Sequence, residues 1–114
     1  MNVKKIEILD AIKNEAMESL YPLKMGGNIN DDSFFKLVSL VEESTRLYKN
    51  DDLIPKTLLS EIYLLSVGIS SENHIRYNKK LDEISIRLMD CFNMIISGKS
   101  VDDIEAESDE PRII

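Results

Sequence analysis

The sequence predicts an all-α fold: a single-domain four-helix bundle followed by a disordered, acidic C-terminal tail. Three observations predict it. Apolar residues recur at steps of three and four along most of the chain, the period of a helix with one buried face. No stretch alternates apolar and polar residues long enough to make a strand. Only three prolines and four glycines interrupt the 114 residues, so few places force the chain out of a helix.

The first helix is expected from about Asn2 to Leu20, with Ile6, Leu9, Ile12, Ala16 and Leu20 on its buried side and Pro22 and Gly26-Gly27 ending it. Asn30-Asp31-Asp32-Ser33 then offers side-chain oxygens to the free amides of a new first turn. From there Phe34, Leu37, Val38, Val41, Thr45 and Tyr48 form the apolar stripe of a second helix that ends near Lys49. Asn50-Asp51-Asp52 makes the next turn, and Pro55 stands where a first helical turn tolerates it, because its missing amide would have been unpaired. The third helix runs to about Gly68. Its Leu58, Leu59, Ile62, Leu64, Leu65, Val67 and Ile69 wrap more than half the circumference, which predicts the most central helix. Ser70-Ser71 is read as the cap of a fourth helix from about Glu72 to Ser97, closed by Gly98. Its seam is His74, Tyr77, Leu81, Ile84, Leu88, Cys91 and Ile95, with Met89, Phe92 and Ile96 alongside. Residues 1–98 are therefore the bundle domain and 99–114 the acidic flexible tail, whose low apolar content cannot support a core of its own.

Hydrophobic residues make up 43% of the chain and charged residues 31%, the balance of one globular domain. One cysteine, Cys91, allows no disulfide framework and suits a reducing compartment. The N-terminus turns acidic at Glu7, where a signal peptide needs an apolar run. The apolar stretch Leu53–Ile69 contains Pro55, Lys56 and Glu61 and is shorter than the ~18 apolar residues of a spanning helix. A cytoplasmic protein without membrane contact is the expectation. Its net charge of −7 is the wrong sign for holding phosphates, so no direct nucleic-acid ligand is expected. Most of that excess is local: the six acids from Asp102 to Glu110, against Arg112, put −5 into the last fourteen residues.

The chemistry of catalysis is sparse. The one His and one Cys, His74 and Cys91, both fall on the predicted fourth-helix seam, about 25 Å apart on a straight helix, too far to form a dyad. Soft metals would need more Cys or His, and Asn28-Ile29-Asn30-Asp31-Asp32 lacks the length and the terminal Glu of a calcium loop. Ser97-Gly98-Lys99-Ser100 echoes the end of a phosphate loop but follows a helix instead of opening one, and reads as a helix stop. No cofactor, no metal and no enzymatic activity are expected. Acid pairs recur at Asp31-Asp32, Glu42-Glu43, Asp51-Asp52, Asp82-Glu83 and Asp102-Asp103. Adjacent carboxylates on a helix point about 100° apart, which suits solvated faces and helix starts, or an acidic surface docking on a basic protein.

The stretch Thr45-Arg46-Leu47-Tyr48-Lys49-Asn50-Asp51-Asp52-Leu53-Ile54-Pro55, followed by the apolar helix Leu58–Ile69 and by Ser71-Glu72, resembles the small helical immunity proteins of the colicin D type. The later run Leu81-Asp82-Glu83-Ile84-Ser85-Ile86-Arg87-Leu88 is also similar, and the resemblance spans about Phe34 to Ile96. It implies a non-catalytic four-helix protein that binds the C-terminal nuclease domain of a bacterial toxin, typically one that cuts tRNA, and blocks its active site. In such proteins carboxylates near the end of the helix after the proline meet a basic, RNA-binding cleft. Glu72 is the matching carboxylate, whereas Ile69 and His74 occupy neighbouring positions where an acid would strengthen the likeness. The expected partner-binding residues are Glu72, Asp51, Asp52, Glu61, Asp82 and Glu83, on a monomer facing a cognate basic nuclease domain. The alternative expectation is a regulatory or scaffolding protein that acts through its acidic tail or by homodimerisation along the fourth-helix seam.

Overall fold

The computed structural model describes residues 4–26, 29–74 and 77–103. In it the periodic segments form four helices: α1 (Lys5–Gly26), α2 (Asp31–Leu47), α3 (Lys56–Asn73) and α4 (Lys79–Ile96). No strand occurs among the described residues, and the fold is the all-α bundle the periodicity predicts. Helix α1 packs on α2 and α3, and α4 packs on the same two, so α2 and α3 face each other across the diagonal. Cross-links set the directions. Lys5, opening α1, pairs with Asp51 just ahead of α3, while Asp31 and Lys80, opening α2 and α4, meet at 3.0 Å. Helices α1 and α3 therefore run one way and α2 and α4 the other.

The core is drawn from all four helices: Ile8 and Ile12, Phe34 and Leu37 and Val41, Leu58 and Ile62 and Ile69, Leu88 and Cys91 and Ile95 are all sealed from solvent. Truncating one of the aliphatic members to alanine costs about 2–5 kcal/mol in such an environment. Where α3 and α4 cross, two buried serines lock the pair reciprocally. Ser66 Oγ donates to the Ser85 carbonyl at 2.8 Å, and Ser85 Oγ donates to the Ser66 carbonyl at 3.1 Å. The small side chains let the backbones approach, and each hydroxyl is satisfied without water.

Several sequence expectations are corrected. Pro22 does not end α1, which continues to Gly26; Leu23 is buried in the core, and its packing holds the extra turn against the local cost of proline. The buried face of α1 is Ile8, Ile12, Ala16, Ser19 and Leu23, and Ile6 is exposed. Gly68 lies inside α3, where an added Cβ would meet nothing within 4 Å. The helix runs on to Asn73 because Ile69 and Asn73 are buried beyond it. The cap of α4 is consequently Asn78, whose side chain accepts from the Lys80 and Leu81 amides. Asn73 Oδ1 accepts the Asn78 amide at 2.7 Å and ties the end of α3 to the cap of α4. Ser70-Ser71 belongs to α3, and α4 is shorter than predicted. On α3, the expected apolar face includes Leu64 and Val67, yet they are 62% and 40% exposed.

Other expectations hold. Asn30 caps α2 by accepting the Ser33 amide at 3.2 Å, and Phe34, Leu37, Val41, Thr45 and Tyr48 are buried. Pro55 precedes the first residue of α3. Gly98, at φ 76°, stops α4: its amide bonds to the Ile95 carbonyl and that of Lys99 to the Met94 carbonyl, the paired bonds of a left-handed helix stop.

The bundle does not end at Gly98. Ser100 and Val101 are buried, and the Val101 amide donates to Thr45 Oγ1 at 3.1 Å. Asp103 accepts the Ser100 amide at 2.9 Å and pairs with Lys49 at 2.7 Å, while Asp102 pairs with Arg46 at 3.2 Å. The acidic residues that open the expected tail are thus a clasp over the end of α2; four residues of low apolar content dock because one valine and two ion pairs have partners waiting. The rest of the expected tail lies outside the described residues.

Candidate functional site

Because α3 and α4 are antiparallel, the last turn of α3 and the first of α4 share one end of the bundle, and the parallel α2 brings its own first turn there. Glu72, Asp82 and Glu83 are thereby assembled with Asp31 and Asp32. Lysines answer two of the five: Lys79 reaches Glu83 at 3.9 Å and Lys80 reaches Asp31 at 3.0 Å. Asp32, Glu72 and Asp82 have no ion-pair partner among the described residues. Asp32 and Asp82 sit in helical first turns, where the dipole favours an anion. Glu72 is different: it lies in the last turn of α3, which holds no basic residue, against a dipole that disfavours negative charge.

The other expected binding residues are placed elsewhere. Asp51 and Asp52 lie at the opposite end, ahead of α3. Asp51 is committed to Lys5, whose ammonium also sits 4.8 Å from the Tyr48 ring centroid, so this acid ties α1 to the α2–α3 connection. Asp52 is exposed beside it. Glu61 lies along the side of the bundle, in the groove between α1 and α3. The six residues thus form one cluster of three, Glu72, Asp82 and Glu83, one pair at the far end, and a lone carboxylate. Sequence reasoning missed Asp31 and Asp32 as members of the cluster; only the parallel α2–α4 packing joins them to it, and no local pattern encodes that.

His74 and Cys91 are not on a common helix, contrary to the predicted seam. His74 is the exposed C-cap of α3, and Cys91 is buried in α4. Burial pushes the Cys91 thiol up to about 12, leaving it a small apolar core group with no thiolate at neutral pH. The rest of the seam, Leu81, Leu88 and Ile95, is spent inside this bundle, and Tyr77 stands exposed outside it.

Two arginines show how charge is used structurally. Arg87 reaches from α4 to Glu42 on α2, with Nη2 to Oε2 at 2.6 Å and Nε to the same oxygen at 2.8 Å. Burial works against its charge, yet the bonds to Glu42 outweigh it and the guanidinium is held above its ordinary value. Arg46 behaves likewise between Asp102 and Glu43. Among the described residues no group of three or more His, Cys, Asp or Glu is placed to hold a metal ion, and no helix is long and apolar enough to cross a membrane.

No family model, curated protein or solved structure matches the chain.

Proposed function

We propose that the chain is an immunity protein, a non-catalytic inhibitor that covers the basic, RNA-binding cleft of a cognate toxin's C-terminal nuclease domain, with a tRNA-cleaving toxin the first expectation. The contact is the end of the bundle that carries Glu72, Asp82, Glu83, Asp31 and Asp32. Its carboxylates take the places of substrate phosphates, and the site of action is the cytoplasm. Glu72 is the single observation that carries the reading. A carboxylate without a partner among the described residues, facing the negative end of its own helix, is a cost to the fold that binding to a cationic surface offsets.

This end is preferred to the rival patch at Asp51 and Asp52 because three of its acids, Glu72, Asp82 and Asp32, have no ion-pair partner among the described residues, whereas the rival patch keeps only Asp52 once Asp51 is committed to Lys5. Freeing it would expose a lysine to the same basic partner. A stable inhibitor complex buries about 800 Å² on each side, with the strongest contacts near its centre. The test takes the C-terminal domain of a large exported protein encoded beside this chain, and measures both its affinity and the protection of tRNA from cleavage. Tight binding that blocks cleavage and weakens on Glu72→Lys supports the reading. Absence of binding to any neighbouring toxin domain overturns it.

A further inference from the structure

Helices α1 and α3 run side by side with the loosest packing of any adjacent pair in the bundle, and between them lies an open groove of about 540 Å³. Its surface is apolar where a solvated bundle would be polar. Met17 is 70%, Tyr21 66% and Leu64 62% exposed. Met17 and Tyr21 are one helical turn apart and form a second apolar stripe on α1, separate from the buried Ile12–Ala16–Ser19–Leu23 face. The charged residues of the groove are sorted by wall: Lys13 and Lys24 stand on α1, and Glu61 stands on α3. None of the three has an ion-pair partner among the described residues.

We propose that this groove is the contact face between two copies of the chain. A two-fold contact needs both signs on one patch, because the same surface serves on both sides. The sorting of charge also selects the axis. A two-fold perpendicular to the helices would lay α1 on the partner's α1 and set lysine against lysine. A two-fold along the helices lays α1 of one copy over α3 of the other. Since α1 and α3 run in the same direction, Lys13 and Glu61, both at the N-terminal side of the groove, then come to the same level and pair twice. Met17 and Tyr21 of one copy cover Leu64 of the other.

The size of the face sets the strength. Helix α1 has 22 residues and is therefore about 33 Å long; two helices are about 20 Å wide, giving a face near 650 Å². That is slightly below the ~800 Å² per partner of a standard stable complex, and since area alone does not set affinity, the dimer proposed is a weak one with a micromolar constant. The face lies along the side of the bundle, leaving the Glu72 end open, and the inference stands whether or not a toxin is bound.

Sedimentation equilibrium of the full chain between about 1 and about 200 µM should show the mean mass rising from one chain towards two, as a micromolar constant requires. Glu61→Lys, which breaks no ion pair among the described residues, should stay folded by circular dichroism. It should raise the dimer constant about tenfold or more, because one substitution places like charges together at two symmetric points. Lys13→Glu combined with Glu61→Lys in one chain should restore dimerisation, since the walls are again opposite. A single-chain mass at every concentration overturns the proposal and leaves the groove to a foreign apolar segment or to residues 104–114. A dimer that Glu61→Lys leaves unchanged, or that the double reversal fails to restore, overturns it as well.

Discussion

Glu72→Lys should make the free protein more stable and the complex weaker, and this opposition of signs separates a binding carboxylate from a structural one. The last turn of α3 has no basic residue, and its final carbonyls carry the negative end of the helix dipole. An anion there is unfavourable and a cation favourable by about 0.3–1 kcal/mol each, so reversing the charge should stabilise by about 1 kcal/mol. For a domain of this size that raises Tm by about 4–8 °C, measured by scanning calorimetry or circular dichroism. Removing one partner of a desolvated charge pair across an interface costs about 2 kcal/mol or more, and reversing it costs at least that, so Kd should rise about 30-fold or more by calorimetric titration. Asp10→Lys is the control. Asp10 is exposed on the half of α1 nearest the Asp51 end and should change Kd by less than about threefold, as rim charges do. Glu42 would be a poor control, because its bonds to Arg87 hold α2 to α4. If Glu72→Lys lowers Tm, or if both substitutions weaken binding equally, the assignment of the acidic end fails.

Thr45→Val keeps the shape of a fully buried side chain but leaves the Val101 amide without its acceptor. It should destabilise by about 1–3 kcal/mol in urea titration, and a loss below about 0.5 kcal/mol would detach residues 99–103 from the cooperative unit. Cys91, with its thiol pushed up to about 12 by burial, should react with a disulfide reagent at pH 8 at least about 1000-fold slower in the native than in the urea-unfolded chain. Equal rates would show the site to be open. Asp103 is held below the ordinary carboxyl value, first by the Lys49 ammonium and then by the Ser100 amide. A depressed folded value means that its contribution is complete above the unfolded pKa of about 3.9 and is lost as pH falls through the folded value. The Ser100 amide resonance should therefore titrate with a midpoint below that of a free Asp, and a midpoint at or above it would refute the clasp.

The helices were legible in the sequence because their signals are local. Asn30 caps α2 as its side chain predicts, Pro55 precedes α3, and Gly98 takes the left-handed position that stops α4. The misreadings share one cause: local punctuation was overridden by burial further along the chain. Leu23 carries α1 past Pro22, and Asn73 carries α3 past Gly68. Moving the start of α4 from Glu72 to Lys79 also separates His74 from the α4 seam. Val101 was invisible for the complementary reason. One apolar residue in an acidic run has no periodicity, and its place in the core depends on Thr45, far away in sequence.

The candidate site was half legible, and the dividing line is physical. Sequence shows where carboxylates are, while only packing shows which of them are already answered. Glu42, Asp51, Asp102, Asp103 and, at the acidic end itself, Asp31 each hold one segment to another through an arginine or lysine, and such pairs are poor handles for a partner, since engaging the acid releases a cation towards the same basic surface. Glu72, Asp82 and Asp32 have no such tie among the described residues and lie on three different helices at one end. Glu61 is also without one, but it faces Lys13 and Lys24 across an apolar groove on the side of the bundle. The same count of free acids therefore divides into two surfaces with opposite requirements. The end carries five acids against Lys79 and Lys80, an acidic excess that suits a cationic partner; the groove has one wall of each sign and suits its own copy. Charge reversal at Glu72 should consequently leave the mass in sedimentation unchanged, and reversal at Glu61 should leave toxin affinity unchanged. Crossed effects would mean that the two surfaces are one.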